Sequence, residues 1–176
     1  DPLVVGGMAD LAVRRLAGLI EATKDPASPF PFALLALDGT LEAGVLERPA
    51  VAVEDEYRAI LRDNRHRDRA AGRTTVGPHA SDLLCVHGPT GAPAERCSTG
   101  QQKALLIGLV LAHARLVAEM AGFTPIVLLD EVAAHLDPER RAALYDALEA
   151  LGSQVWMTGA DPHAFAGLGD RADLFS

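Results

Sequence analysis

The chain has 176 residues, of which 49% are apolar and 23% charged, and its formal net charge is −8. This size and composition are typical of one globular domain with a sizeable core and exclude a disordered chain. The negative charge excludes a uniformly basic nucleic-acid binder but allows a local basic patch. With two cysteines the chain lacks a disulfide framework, which favours a reduced, cytoplasmic setting. No apolar stretch reaches the roughly 20 residues of a membrane span, and the start does not resemble a signal peptide.

The first half of the chain predicts helices around a β-hairpin. An amphipathic pattern predicts a helix over residues 8–23, and the prolines of 25–31 predict a loop. The apolar runs 32–37 and 41–46 flank Asp38-Gly39, a tight-turn dipeptide, and therefore predict a hairpin. A second helix is predicted from about residue 54 to residue 71.

This second helix carries the basic cluster of the chain. The candidate DNA contacts here and just after it are Arg62, Arg65, Arg69, Arg73 and His79. Each phosphate that such a cluster neutralises adds salt-sensitive affinity. The alternative is a solvated helix face with internal ion pairs, such as Asp63 with Arg67. For His79 the alternative is a purely structural hydrogen bond.

A strand over 82–86 and a Gly/Pro loop over 88–93 precede a long apolar helix that opens at Ser98-Thr99-Gly100-Gln101. Ser98 followed by Gln101 three residues later predicts a capping box at the start of that helix. A capping box does not require Gly100, which costs helix stability relative to alanine. Glycine there suits a ligand that approaches the backbone closely, and free N–H groups at a helix start suit a phosphate. The two roles are compatible.

The apolar run 127–129 ends in two adjacent carboxylates, Asp130 and Glu131. Asp130 is a candidate ligand for Mg²⁺, which prefers one or two carboxylates with phosphate oxygens and water. Glu131 is a candidate to orient or deprotonate a water molecule. The alternative is a strand followed by a solvated acidic turn.

A parallel βαβ unit is predicted around these carboxylates. Asp137 before Pro138 predicts a helix N-cap, the helix runs to about residue 151, and a short strand over 154–157 ends at Thr158. In such a unit Asp130 and Thr158 lie at neighbouring carboxyl ends and face one crevice.

Together these motifs resemble those of ABC-type ATPases. Ser98 to Gln101 resembles the signature, 126–131 resembles a Walker B strand with its catalytic glutamate, and Ala134-His135-Leu136-Asp137 resembles the D-loop. The implied fold is α/β: the second lobe of a P-loop NTPase-like ABC or SMC head, with parallel strands, packed helices and the remnant of a helical arm.

The finer resemblance is to the RecF family, carried by the segment 72–79 (Gly-Arg-Thr-Thr-Val-Gly-Pro-His) and by Gln101-Gln102-Lys103. It implies a cytoplasmic ATPase, not bound to membranes, that forms an ATP-dependent homodimer and binds DNA at single-stranded/double-stranded junctions. It also implies work with RecR and RecO in loading RecA at gaps.

The resemblance also implies the roles of the site residues. Asp130 supports Mg²⁺ and Glu131 positions the attacking water. Ser98, Thr99, Gly100 and Gln101 close over the γ-phosphate from the other subunit. The candidate D-loop residues His135, Leu136 and Asp137 couple the two sites, although the N-cap role alone also explains Asp137. Thr158 senses the γ-phosphate or is a plain strand-end threonine.

Three features depart from the family pattern. No Gly-x-x-x-x-Gly-Lys-[Ser/Thr] phosphate loop occurs in these 176 residues, Ala80 stands where the family usually has arginine, and Thr158 stands where ABC transporters have their switch histidine. Since the chain also starts at Asp1 rather than methionine, we expect the C-terminal part of a RecF protein, inactive alone. We expect residues 1–72 to form an arm region and 73–176 the ATPase lobe. The alternatives are another ABC-type ATPase, such as an SMC-like head or a transporter subunit, and a non-catalytic binding module.

Overall fold

A computed structural model describes residues 2–25, 28–39, 48–133 and 136–175. The helices are α1 (Pro2–Thr23), α2 (Ala50–Ala71), α3 (Thr99–Ala121) and α4 (Pro138–Leu151). The strands are β1 (Ala33–Asp38), β2 (Asp82–His87), β3 (Ala92–Pro93), β4 (Val127–Leu129) and β5 (Val155–Met157). Short 3₁₀ segments cover Pro78–Ala80, Ala94–Arg96 and Pro162–Arg171.

The predicted elements of the first half are confirmed where the structure describes them. Both helices start earlier than predicted, α1 at Pro2 and α2 at Ala50. Two glycines near the start of α1 and a weak apolar periodicity at the start of α2 gave no clear helix signal in the sequence. The first strand of the predicted hairpin is β1, whereas the second, 41–46, lies outside the described residues. Strand β1 pairs antiparallel with β2, and β3 adds a short third strand beside β2.

The predicted parallel βαβ unit is also confirmed. Strand β4 pairs with β5 in parallel, with Val127 opposite Val155 and Leu129 opposite Met157. Helix α4 connects the two strands. Asp130 and Thr158 therefore follow directly at the same edge of this sheet.

Helix α3 lies between two apolar clusters. One of its sides packs with β4 and α4 through Ala104, Ile107 and Leu111, together with Val127 and Leu144. Another side packs with α1 and β1 through Leu105 and Ala112, together with Ile20 and Ala33. The helix is therefore the element on which both parts of the core are built.

Because α3 is apolar on both of these sides, it is long and apolar enough to cross a membrane by length and composition, with a mean hydropathy of 1.7. No membrane span was expected from the sequence, because its best apolar run, over 104–112, stops at His113. A core helix of a globular protein passes the same test, and 22% of the apolar window of α3 is buried in the described structure.

The β1–β2 pairing joins residues on both sides of residue 72. The division into an arm region, 1–72, and an ATPase lobe, 73–176, stays a prediction.

Candidate functional site

The carboxyl ends of β4 and β5 bring together three predicted site residues. The Thr158 hydroxyl donates a hydrogen bond to Asp130 Oδ1. The Glu131 N–H lies 3.2 Å from the Thr158 carbonyl oxygen and 3.3 Å from its hydroxyl oxygen, so both accept from it. The Thr158 N–H donates to the Leu129 carbonyl at 3.0 Å. These bonds extend the parallel pairing one residue beyond the strands and fix the Asp130 carboxylate and the Glu131 backbone relative to Thr158.

The backbone at Glu131 is in the left-handed region, with φ at 54°. Among the described residues, Glu131 is the only one other than glycine with a positive φ. This conformation costs about 1–2 kcal/mol for an L-residue and persists where surrounding bonds enforce it. Here the bonds from its N–H to Thr158 do so. Strain of this kind is concentrated at functional sites.

The donor set at this edge suits a hard cation that brings most of its own ligands. Asp130, Glu131 and Thr158 are all exposed. Within the part of the chain that the structure describes, no three or more His, Cys, Asp or Glu side chains form a metal-binding group. A site with one carboxylate and a neighbouring hydroxyl fits Mg²⁺, which keeps several waters and binds substrate phosphates.

The predicted capping box at the start of α3 is confirmed. Ser98 Oγ accepts from the Gln101 N–H at 3.3 Å, and the Ser98 N–H donates to Gln101 Oε1 at 3.0 Å. Gln102 Nε2 donates to the Ala94 carbonyl at 2.9 Å and ties the preceding turn to the helix. A Cβ added at Gly100 meets nothing within 4 Å. Packing within the described residues therefore does not require glycine at this position. The space beside Gly100 at the start of the helix is open.

The segment that resembles a D-loop is anchored at its two ends. Ala133 is 2% exposed and Leu136 is 6% exposed, with Leu136 in the core cluster around α4. Asp137 Oδ1 accepts from the Arg140 N–H at 2.9 Å, which confirms the predicted N-cap. The Leu136 side chain thus anchors the segment in the core instead of facing a ligand. The third D-loop residue, His135, lies outside the described residues.

The arginines of α2 are exposed, and most lack an ion-pair partner. Arg62, Arg65 and Arg69 share one side of the helix because they are three and four residues apart. Within the described residues, none of these three, nor Arg67 or Arg73, forms an ion pair. The suggested pair of Asp63 with Arg67 is absent from the same residues. The alternative of internal neutralisation therefore holds only for Arg58, which contacts Glu54 at 2.6 Å.

The loop after α2 is held by its own polar contacts. Asp68 accepts from the Thr75 hydroxyl at 2.7 Å and from the Thr75 N–H at 2.9 Å, and these bonds lower the pKa of that carboxyl. His79 Nε2 lies 2.8 Å from the Thr74 carbonyl oxygen. A carbonyl only accepts, so Nε2 carries the proton. His79 is exposed, and this bond gives direct support to its structural role.

One residue beside the site was missed from the sequence. Arg141 Nη2 donates to the Leu136 carbonyl at 3.1 Å and so touches the D-loop-like segment. The only signal in the sequence is its place in the first turn of α4, four residues after the N-cap.

No model of a known protein family matches the chain. Several curated proteins do match, each named DNA replication and repair protein RecF. The protein from Rhizobium leguminosarum bv. trifolii is 56% identical over 161 residues, which are 92% of this chain and 42% of that protein. The protein from Mesorhizobium japonicum is 56% identical over 164 residues, or 93% and 43%. The chain thus spans well under half the length of these relatives.

Two solved structures have the same fold. Superposition on the recombination mediator protein RecF-ATPrS gives a TM-score of 0.61 at 20% identity, over 88% of this chain and 40% of that one. The RecF-ATP structure gives 0.58 at 22% identity, over 89% and 41%. Over nearly all of its length, therefore, the chain matches a part of the DNA replication and repair protein RecF, as its motifs implied, and has the α/β fold of RecF structures.

Proposed function

We propose that the chain supplies the catalytic carboxylates and the signature of an ATP-hydrolysing site in a RecF-type DNA-repair ATPase. The observation that carries this proposal is the group Asp130, Glu131 and Thr158 at the carboxyl ends of two parallel strands, with Glu131 held in a left-handed conformation. Crevices at this edge of parallel sheets are where ligands bind. The names of the RecF-ATP and RecF-ATPrS structures support ATP as the nucleotide.

Each group at the strand ends has a chemical role in this proposal. Glu131 orients the attacking water in line with the γ-phosphate and takes up its proton. Asp130 holds Mg²⁺, which when bound neutralises charge on the phosphate oxygens. Thr158 fixes the Asp130 carboxylate through its hydroxyl. In this proposal it also senses the γ-phosphate. Their exposure is consistent with a nucleotide that arrives from outside the described chain.

The start of α3 acts on a second site in this proposal. Ser98, Thr99, Gly100 and Gln101 close over the γ-phosphate bound to another copy, with free N–H groups and the helix dipole directed at its charge. The D-loop-like residues His135, Leu136 and Asp137 lie next to the catalytic carboxylates in the sequence and couple the two sites. The chain therefore works in an ATP-dependent homodimer.

DNA is the macromolecular partner that the charge distribution favours. Exposed arginines on α2 that lack carboxylate partners suit the phosphates of DNA at a single-stranded/double-stranded junction. Arg62, Arg65, Arg69 and Arg73 are the proposed contacts, with His79 beside them. The similar structures are named as parts of the RecFOR pathway, which supports RecO and RecR as partners. In the proposal, the chain works with them in the cytoplasm to load RecA.

The test uses a RecF chimera, in which these 176 residues replace the segment that they match in the Rhizobium leguminosarum protein. Glu131→Gln keeps the size of the side chain but removes the base, so we expect ATP turnover to fall by about 10²–10⁴ while ATP binding persists. Steady-state phosphate release and equilibrium ATP binding measure the two effects.

Glu119→Gln is the matched control, since Glu119 is an exposed glutamate on α3 outside the site, and it should change neither quantity. If the carboxylates were structural, as in a non-catalytic binding module, Glu131→Gln would leave turnover unchanged.

A further inference from the structure

Gln102 lies in the first turn of α3 and holds the chain on both sides of Ser98. Its N–H bonds to the Ser98 carbonyl at 2.9 Å, as the helix requires. Its side chain reaches eight residues back, where Nε2 donates to the Ala94 carbonyl at 2.9 Å. A carbonyl only accepts, so the amide nitrogen faces Ala94. The start of α3 is therefore tied to the turn before it by a side chain as well as by the backbone.

The turn that Gln102 contacts is itself anchored to the antiparallel sheet. Pro93 of β3 pairs with β2, and Ala94 follows it directly. The Ala94 carbonyl also accepts from the Cys97 N–H at 3.1 Å, which closes the short 3₁₀ segment. Both Ala94 and Gln102 are half-buried. The Gln102 side chain therefore connects α3 to a fixed point beside the sheet.

The two residues between the turn and the helix have extended backbones. Cys97 has ψ at 156° and Ser98 has ψ at 155°, and together they lead from the turn into α3. The capping box does not hold them against the turn, because it joins Ser98 only to Gln101. The bond from Gln102 to Ala94 spans both extended residues, and rotation within them would break it. This bond therefore fixes the position of the helix start relative to the turn.

The groups positioned in this way are those that the proposed function directs at a phosphate. Ser98, Thr99 and Gly100 are exposed, and no hydrogen bond within the described residues uses the N–H of Thr99 or Gly100. A bond from such an N–H to a phosphate oxygen depends on distance and angle, so a displaced helix start would weaken it. Gln102 acts on the phosphate only through these groups.

We propose that Gln102 is a positioning residue, whose bond to Ala94 fixes the start of α3 for closure over a γ-phosphate bound to another copy of the chain. This inference rests on the proposed function. Its consequence is that Gln102 acts in trans, on the site whose Asp130 and Glu131 belong to the other copy. Turnover at the carboxylates of one copy therefore depends on the glutamine of the other.

The first measurement is ATP turnover by the RecF chimera with Gln102→Glu, which keeps the shape of the side chain but replaces the donor with an oxygen. We expect turnover to fall about tenfold, or about 1.4 kcal/mol, which is close to the contribution of one hydrogen bond. The ATP affinity of the monomer should stay the same, because Gln102 acts on the other copy. Gln102→Met lacks the donor without adding a charge and should lose turnover similarly.

Gln154→Glu is the matched control, because Gln154 is an exposed glutamine that precedes β5, outside the start of α3. It introduces the same charge as Gln102→Glu and should leave turnover unchanged. A glutamine that only stabilised the fold would behave differently from the one proposed. Both Gln102 variants would then lower the midpoint of urea unfolding without changing turnover of the folded protein.

Mixing two variants tests whether Gln102 acts on the other copy. In a dimer of one Gln102→Glu copy and one Glu131→Gln copy, one site combines an intact Glu131 with an intact helix start. The mixture should therefore turn over ATP faster than the mean of the two variants measured separately. A mixture that only reproduces this mean would show that Gln102 acts within its own copy, and the inference would be wrong.

The outcomes separate the inference from the proposed function. If Glu131→Gln lowers turnover of the chimera while both Gln102 variants keep it, the inference is wrong and the proposed function stands. If Glu131→Gln leaves turnover unchanged, the proposed function is wrong, and the inference is wrong with it.

Discussion

At the scale of single residues, Thr158 explains why the exposed Asp130 carboxylate and the backbone of Glu131 are held in a defined arrangement. A strand-end acidic turn in water has many conformations, and ordering it costs about 1–2 kcal/mol per residue. Thr158 offsets part of this cost by donating to Asp130 and accepting from the Glu131 N–H. The alternative of a plain solvated acidic turn does not account for the left-handed Glu131.

A buried tyrosine gives a direct test of the packing behind this site. Tyr145→Phe removes the hydroxyl that donates to the Ala164 carbonyl at 2.6 Å and leaves a buried acceptor without its partner. We expect a loss of about 1–3 kcal/mol in the free energy of unfolding, measured by urea titration. Tyr57→Phe is the control, because the Tyr57 hydroxyl lies 3.3 Å from the Val76 carbonyl and makes a weaker bond. Equal losses for the two variants would contradict the assignment.

The pH dependence of the loop after α2 follows from Asp68. Its pKa is lowered, chiefly by the Thr75 hydroxyl and then by the Thr75 N–H, with Arg67 and His79 adding to the effect. A carboxyl with a lowered folded-state pKa stabilises the fold above its unfolded pKa of about 3.9, and this stabilisation is lost as the pH falls through the folded value.

Thr75→Val removes the largest cause, so we expect the pKa of Asp68 to rise. Carboxyl chemical shifts followed by NMR between neutral and acidic pH measure it. Thr74→Val is the matched control and should leave this titration in place, since Thr74 contacts His79 through its carbonyl. An unchanged Asp68 titration in Thr75→Val would show that the hydroxyl does not set the pKa.

At the scale of elements, the local signals of the sequence were sufficient for most helices and strands. The N-cap Asp137 and the capping box of Ser98 and Gln101 are local motifs, and both are present as predicted. The parallel unit followed from two apolar runs separated by an amphipathic helix. Such features depend on neighbours within a few residues, which a sequence displays directly.

Features that depend on distant contacts were not predictable in the same way. The pairing of β1 with β2 joins residues about fifty positions apart, and no turn signal marks it. The strain at Glu131 depends on Thr158, 27 residues later. The burial of Arg141 Nε, which has no acceptor among the described residues, depends on how deeply α4 packs into the core. The roles of Asp130, Glu131 and the helix start at Ser98 were hypotheses from the residues, to which the family resemblance added the contact with a second subunit, and they stay predictions.

The exposed arginines of helix α2 allow a test of DNA binding by this element. If Arg62, Arg65 and Arg69 each neutralise one DNA phosphate, replacing all three with alanine lowers the salt dependence of binding. The slope of log K against log salt should become smaller by about 0.9 per phosphate, or about 2.7 in total. Fluorescence anisotropy of a junction DNA with the RecF chimera, at several salt concentrations, measures this slope.

Arg58→Ala is the control, because Glu54 already neutralises Arg58 at 2.6 Å. It should leave the slope nearly unchanged. A triple variant with an unchanged slope would contradict the placement of DNA on this face of α2.

At the scale of the whole molecule, one face of the β4–β5 sheet is largely uncovered by the residues that the structure describes. Leu128 and Trp156 are register partners on that face and are 74% and 53% exposed. The Phe175 ring stacks on Trp156 with centroids 6.3 Å apart and covers part of it. Parallel sheets normally have both faces buried. Since the chain spans about 42% of its relatives, we expect the remainder of a RecF protein to cover this face.

The motifs present in these 176 residues determine how the chain should treat ATP. It carries the candidate carboxylates and signature, but its sequence contains no Gly-x-x-x-x-Gly-Lys-[Ser/Thr] phosphate loop. Such a loop supplies the backbone N–H groups and the lysine that bind the phosphates. In the proposed function, nucleotide affinity therefore comes from the part of a RecF protein that this chain does not match, whereas this chain contributes hydrolysis and closure of the site.

The assignment of nucleotide affinity is tested by equilibrium binding of a fluorescent ATP analogue with Mg²⁺. Binding is measured for the isolated chain and for the RecF chimera. We predict negligible binding by the isolated chain and saturable binding by the chimera, because the family resemblance implies a phosphate loop in the part that only the chimera contains. Tight binding by the isolated chain would mean that it holds a complete phosphate-binding site of its own. This result would contradict the assignment of nucleotide affinity to the part of a RecF protein that this chain does not match.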